Sequence, residues 1–160
     1  MGDSLSATTI RLDAHSGDSI EAYLARPDGD ARRGGVVVIH HMPGYDRASK
    51  EIARRFAELG FDAICPNLHY REAPGAAPDD AAAASRAAGG VPDDRLVGDV
   101  GAATEYLRAL PTFARLGLPA TVFVPLGYVG TERLLVVGFG GDVDQLERPL
   151  ICAIEDVFGA

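Results

Sequence analysis

Residues 34–70 constrain the fold of this chain more than any other segment. They contain an apolar strand over Val36–Ile39, a polar loop, an amphipathic helix over Ala48–Leu59 and a second apolar strand over Phe61–Pro66. A continuous β-branched run is typical of a strand that is buried on both faces of a parallel sheet. The order of strand, helix and strand predicts a βαβ unit, and ligands bind beyond the carboxyl ends of such strands.

Strand and helix patterns continue on both sides of this unit. Segments 8–14 and 19–26 alternate apolar and polar residues around a turn at His15, which predicts an antiparallel hairpin at the sheet edge. Helices are predicted near Pro78 and over 92–110, and strands over 121–125, 134–139 and 150–154. Asp93 or Asp94 is predicted to cap the longer helix. The alternation predicts an α/β fold with a mainly parallel sheet and flanking helices, in one domain over residues 1–160.

Composition excludes several classes of function. The net charge of −8 argues against nucleic-acid binding, which needs a basic face. The amino terminus lacks a basic segment followed by an apolar one, and no apolar run approaches the ~18 residues of a membrane span, so we expect a cytoplasmic protein with no membrane partner. Cys65 and Cys152 form no disulfide framework or metal-binding pair. No cofactor motif is present, and none is predicted.

Two adjacent histidines follow the first parallel strand. Neighbouring residues on an extended chain point to opposite faces, so His40 and His41 do not readily bind one metal ion together. His15 and His69 could complete a set, but the spacing matches no familiar zinc pattern. The prediction is no metal, with a metal-dependent hydrolase kept as an alternative.

The same loop continues with a Pro-Gly pair. Pro43 and Gly44 predict a sharp turn. Such a turn would leave the backbone amide of Met42 free to point at a developing negative charge, as in the oxyanion hole that α/β-hydrolases build after their third strand.

Four segments carry a family resemblance, namely IHHMPGYD, SKEIARRFAELGF, ICPNLHYREAPG and GGVPDDRLVGDVGAATEYLRALP. In order and spacing they resemble the amino-terminal half of the dienelactone hydrolase family. The resemblance is strongest over residues 34–111, and residues 112–160 diverge. It implies a truncated α/β-hydrolase fold that hydrolyses a small carboxylic ester or lactone. The family uses a Cys nucleophile, or Ser in some relatives, completed by Asp and His.

The resemblance also implies roles for individual residues. Met42 matches the residue whose amide contributes to the oxyanion hole. His41 stands where dienelactone-cleaving members carry a Glu that interacts with the resting thiol. Arg71 matches an arginine that holds a substrate carboxylate, which implies an anionic substrate. An exposed loop arginine is the alternative for Arg71.

The chain departs from the family where the nucleophile should lie. The segment Leu134–Gly141 reads LLVVGFGG and lacks the Cys of the family's G-x-C-x-G-G elbow, and no G-x-S-x-G occurs. In this fold the histidine follows the nucleophile, but His69 is the last histidine of the chain. Asp156 is a weak match for the triad acid.

Two functional hypotheses follow from these departures. The first is a dienelactone hydrolase-like protein whose activity is impaired. The second is a non-catalytic or incomplete binding domain that self-associates through an unpaired strand edge. Deletion, frameshift and fusion would each explain the divergence of residues 112–160.

Overall fold

The structure is a computed structural model that describes residues 5–29, 32–40, 43–111, 120–124 and 135–138. Over these ranges a six-stranded sheet is flanked by helices. The strands are β1 (Leu5–Asp13), β2 (Ser19–Pro27), β3 (Gly34–Val38), β4 (Phe61–Pro66), β5 (Ala120–Val124) and β6 (Leu135–Gly138). The helices are α1 (Arg47–Glu58), α2 (Pro78–Ala87) and α3 (Asp93–Ala109), with a short 3-10 turn at His15–Gly17. Within the described ranges, no helix combines the length and the apolar character needed to cross a membrane.

Parallel pairing is confined to the centre of the sheet. The strand order is β1-β2-β4-β3-β5-β6, and β3 pairs in parallel with both β4 and β5. The pairings β1–β2, β2–β4 and β5–β6 are antiparallel. The predicted α/β architecture and amino-terminal hairpin are therefore confirmed, and the sheet as a whole is mixed. The predicted strand over 150–154 lies outside the described residues.

The central strand β3 is buried on both faces, as its β-branched run predicts. Val36 and Val38 belong to a core that includes Phe56 of α1, whereas Val37 belongs to a second core that includes Leu107 of α3. All five side chains have no exposed surface. Full burial of one such side chain stabilises the fold by about 1.5–3 kcal/mol. These two cores produce three layers, with α1 and α3 on opposite faces of the sheet.

Helix α1 is bounded by the residues that its sequence suggests. The Asp46 carboxylate accepts a hydrogen bond from the Ser49 backbone N–H at 2.8 Å, which satisfies one of the free amides at the helix start. Gly60 follows the helix with a φ of +93°, a conformation that glycine adopts at little cost. The Ser49 hydroxyl also donates to the Gly44 carbonyl at 3.1 Å, and this bond ties the helix to the preceding turn.

The predicted side-chain cap of α3 is wrong. Pro92 occupies the capping position and makes no side-chain hydrogen bond to the helix. Because the helix begins at Asp93, both Asp93 and Asp94 lie inside its first turn instead of before it. There their negative charges still favour the positive end of the helix dipole.

Candidate functional site

The turn after β3 lies at the carboxyl end of the parallel strands and accepts only a glycine at position 44. Gly44 has a φ of +124°. A Cβ atom added there would lie 2.9 Å from His69 Nδ1 and 3.2 Å from His40 Cε1. The turn therefore packs directly against two imidazole rings, which brings together the ends of β3 and β4.

The rings of His40 and His69 form a buried pair. Their centroids are 4.9 Å apart in an edge-to-face arrangement, and the residues are 7% and 6% exposed. His40 Nε2 accepts a hydrogen bond from the Leu68 backbone N–H at 3.0 Å, so this nitrogen is unprotonated. Among the described residues, His69 Nδ1 has no hydrogen-bond partner. Burial lowers the pKa of His69 and the nearby Glu72 carboxylate opposes that shift, so the ring is neutral near pH 7.

Three predicted site residues lie outside the described residues: His41, Met42 and Asp156. Their roles therefore stay predictions. The residues that flank the first two, His40 and Pro43, lie where β3 ends, at the edge of the sheet where α/β proteins bind ligands.

Arg71 is described, and its guanidinium is bound to the protein itself. It forms two hydrogen bonds with the Asp99 carboxylate, at 2.7 and 2.9 Å, and its Nε donates to Asp18 at 2.7 Å. Its side chain is 15% exposed, so the alternative of an exposed loop arginine is wrong. The hydrogen bonds to Asp99, together with Asp18, raise the pKa of Arg71 despite partial burial. The arrangement fastens the loop after β4 to helix α3 and to the hairpin turn.

Sequence reasoning missed Asp99 as the partner of Arg71. The carboxylate is fully buried, and it also accepts a hydrogen bond from the His15 backbone N–H at 3.0 Å. The sequence does indicate that Asp99 is buried, because Asp99 lies three residues after Leu96 and four before Ala103 on the apolar stripe of α3. An acid at such a position needs a buried partner.

The histidines do not assemble into a metal site in the part of the chain that is described. There, no three His, Cys, Asp or Glu side chains come close enough to hold a metal ion. His15 lies beside Asp94, at 4.0 Å, on the face of the sheet that α3 covers.

A groove of about 550 Å³ adjoins the same edge of the sheet. We call it the α1 groove, because Arg47, Lys50 and Arg54 of that helix line one side. Asn67 also lines it, and the Asn67 Oδ1 atom accepts a hydrogen bond from the His69 backbone N–H at 3.2 Å. The groove is therefore connected to the histidine pair through one residue.

Strand β6 runs in the direction opposite to β3 and β5. Gly138, at its carboxyl end, pairs with Thr121 near the start of β5. Gly35, near the start of β3, pairs with Ala120. The carboxyl end of β6 therefore lies at one end of the sheet, and the Gly44 turn and the histidine pair lie at the other.

Comparison with known proteins shows the family to which this chain belongs. A model of the dienelactone hydrolase family matches residues 20–118, which is more than half of the chain. The chain belongs to the dienelactone hydrolase family. A protein of Azospirillum brasilense provisionally named carboxymethylenebutenolidase is 35% identical over 68 residues, which cover 42% of this chain and 29% of that protein.

Solved structures agree on the fold of this dienelactone hydrolase family member. A protein of Klebsiella pneumoniae provisionally named a dienelactone hydrolase matches with a TM-score of 0.56 at 24% identity, over 71% of this chain and 45% of that one. A cold-adapted esterase from an Arctic intertidal metagenomic library matches with a TM-score of 0.55 at 15% identity, over 76% of this chain and 50% of that one. The matches thus span about half of these structures, or less, and identify an α/β-hydrolase fold.

Proposed function

We propose that this chain carries the oxyanion side of a site for hydrolysis of carboxylic esters or lactones, and that its activity is impaired because the nucleophile side is missing. The observation that supports the proposal is the turn at Gly44, which lies at the carboxyl end of β3 and is held by the histidine pair. Family membership adds the reaction class. The protein acts in the cytoplasm on a small-molecule substrate.

The proposed chemistry is acyl transfer. In a complete site of the family, a thiolate or alkoxide would add to the ester carbonyl and the Met42 amide would donate a hydrogen bond to the oxygen that becomes negative. The alcohol would then leave, and water would release the acid from the acyl-enzyme. This chain has no residue that matches that nucleophile. His41 replaces a glutamate beside the nucleophile, and Asp156 is the candidate acid. The direction of β6 supports impairment, because the carboxyl end of this strand lies at the end of the sheet opposite to the Gly44 turn.

An anionic substrate would engage Arg71 by exchange. The Asp99 pair is buried, whereas the Asp18 side chain is 54% exposed. A substrate carboxylate would therefore displace Asp18 from Arg71 Nε and leave the Asp99 pair intact. A neutral ester would not need this exchange.

An esterase assay on the purified chain tests the proposal. With p-nitrophenyl acetate and dienelactone, we expect at most about 10³–10⁴-fold acceleration over water. This is the residual catalysis that oxyanion stabilisation and binding supply when a triad is absent. Met42→Pro should abolish this acceleration because it removes the amide, while the control Met42→Ala keeps it. Turnover at the rate of a complete hydrolase would contradict the impairment. Equal rates in the two variants would contradict the oxyanion role.

A second candidate function is a non-catalytic domain that associates with itself. Strand β1 favours it, because β1 is nine residues long and forms one edge of the described sheet. An unpaired edge exposes backbone N–H and C=O groups to another chain.

A further inference from the structure

The α1 groove has the size and position of a ligand site. Its volume of about 550 Å³ falls within the range of roughly 300–1,000 Å³ that small-molecule pockets occupy. Helix α1 forms one side, and Ala76, just before α2, and Pro78, the first residue of α2, contribute apolar surface. Tyr23 and Tyr45 also line it. A small molecule with a flat apolar body would therefore find matching surfaces.

The charges of the groove are unequally neutralised. Glu51 pairs with Arg54 at 3.8 Å, and Glu21 pairs with Arg11 at 3.8 Å. The third acid, Asp46, binds the Ser49 backbone N–H at the start of α1. Within the described part of the chain, Arg47 and Lys50 form no ion pair. Two cations thus face one carboxylate that already has a backbone partner.

Aromatic rings hold the Lys50 ammonium in place. Its Nζ lies 4.0 Å from the centroid of the Tyr45 ring and 5.8 Å from that of Tyr23. Contact with a ring face orients a cation without cancelling its charge. Lys50 is therefore positioned by the protein while its positive charge is available to an anion.

We propose that the α1 groove binds a small carboxylate with a flat apolar body. The carboxylate would lie between Lys50 and Arg47, and the body would contact Tyr23 and Pro78. This inference deepens the function proposed above, because hydrolysis of an ester or lactone releases a carboxylic acid. The groove would supply an anion position on α1 that is separate from Arg71, whose guanidinium is bound to Asp99.

Titration of the ¹⁵N-labelled full chain with sodium benzoate at constant ionic strength tests the inference by NMR. We expect saturable shifts of amides around Tyr45–Lys50 and Asn67, with benzamide and acetate each binding more weakly. Lys50→Gln and Arg47→Gln should each weaken benzoate binding by about three- to tenfold, because each removes one charge-assisted contact. Arg55→Gln removes the same charge from the same helix outside the groove and should leave binding unchanged.

Each other outcome would overturn the inference. No saturable shift with benzoate, or an equal loss in all three variants, would exclude a built carboxylate site. Equal affinity for acetate would exclude the aromatic contribution. Since the titration measures binding without turnover, failure here leaves the esterase result standing, and absence of esterase activity does not affect the titration.

Discussion

Gly44 is the residue on which the geometry of the candidate site depends most directly. Gly44→Ala should destabilise the fold by about 2–4 kcal/mol, because the new methyl group would overlap His69 Nδ1 and the backbone has a positive φ. Gly75→Ala is the matched control, since Gly75 also has a positive φ but nothing lies within 4 Å of its added Cβ. Urea unfolding of both variants measures the difference. An equal loss of stability would show that the imidazole rings do not enclose the turn.

His69 predicts a pH dependence of stability. Its pKa in the folded protein is lowered by burial, so the unfolded chain binds a proton at higher pH than the folded chain does. The free energy of unfolding should therefore fall as the pH decreases below the unfolded value of about 6.5, towards the lower pKa of the folded state. Chemical unfolding between pH 7.5 and 5 should give a shallower slope for His69→Gln than for wild type. A slope in His69→Gln equal to that of the wild type would show that this imidazole does not cause the pH dependence.

The pair of Arg71 and Asp99 should behave as a buried ion pair. Asp99→Leu should cost about 3–5 kcal/mol, because it leaves the guanidinium without its main partner. Adding Arg71→Met should recover part of that loss, since no buried charge then lacks a partner. The exposed pair of Arg108 and Glu105 supplies the control, and Glu105→Gln should cost less than about 1 kcal/mol. Thermal and denaturant unfolding of these three variants and of Arg71→Met alone decide the case, and additive losses in the double variant would argue against direct coupling.

The structural role of a residue could be predicted from sequence where the local backbone conformation alone determines that role. Gly44 and Gly60 follow from the turns that they terminate, and both have a positive φ. The family resemblance points to Arg71, but the partner of Arg71 depends on the distance between a loop and a helix that are 28 residues apart in sequence. Such a contact has no local signature, because only the packed fold brings the two side chains together.

Helix α3 presents two glycines whose replacement should have opposite effects. A Cβ at Gly98 would lie 2.3 Å from His15 Nδ1, so this glycine allows the helix to approach the hairpin turn. A Cβ at Gly101 would have nothing within 4 Å. Gly101→Ala should therefore stabilise the protein by up to about 1 kcal/mol through helix propensity. Gly98→Ala should destabilise it, because the turn must move away from α3 and from the Arg71 cluster.

Melting temperatures of the two alanine variants measure this contrast. The chemical change and the helix are identical, so the variants differ only in what the new methyl group meets. A rise in melting temperature for both variants would show that α3 does not pack closely against the turn at His15.

Secondary-structure elements were predictable to the extent that their patterns are local. The hairpin, β3, α1 and β4 follow from period-two alternation, a β-branched run and a helical stripe, each written in consecutive residues. The direction of β6 could not be predicted in this way. A short apolar run has the same sequence pattern in a parallel or an antiparallel pairing, and the choice depends on how the chain returns to the sheet.

Across the whole molecule, the sheet joins a parallel centre to antiparallel edges. The carboxyl ends of β3 and β4 meet at one side, where the Gly44 turn, the histidine pair and the α1 groove lie. The sequence predicted the turn at Pro43 and Gly44 on this side of the sheet, because the strand, the turn and the helix follow one another over residues 34–70. The nucleophile half could not be predicted, since the sequence carries no residue that matches it.

The edges of the sheet lead to the last prediction, which concerns association. Strand β1 pairs on one side only within the described sheet, and its Ser6 and Thr8 are exposed. We expect the mass measured by light scattering after size-exclusion chromatography to exceed 16.8 kDa and to rise with protein concentration. Ser6→Lys with Thr8→Lys should return the protein to a monomer, because charges on an edge strand oppose pairing with a second chain.

A control must separate the strand edge from the added charge. Ala83→Lys with Ala87→Lys places two lysines on exposed positions of α2, so it changes the net charge equally without altering β1. If both double variants dissociate the protein, the effect of the lysines does not depend on their position and the edge is not the interface. A mass equal to one chain for the wild type at every concentration would exclude self-association through β1.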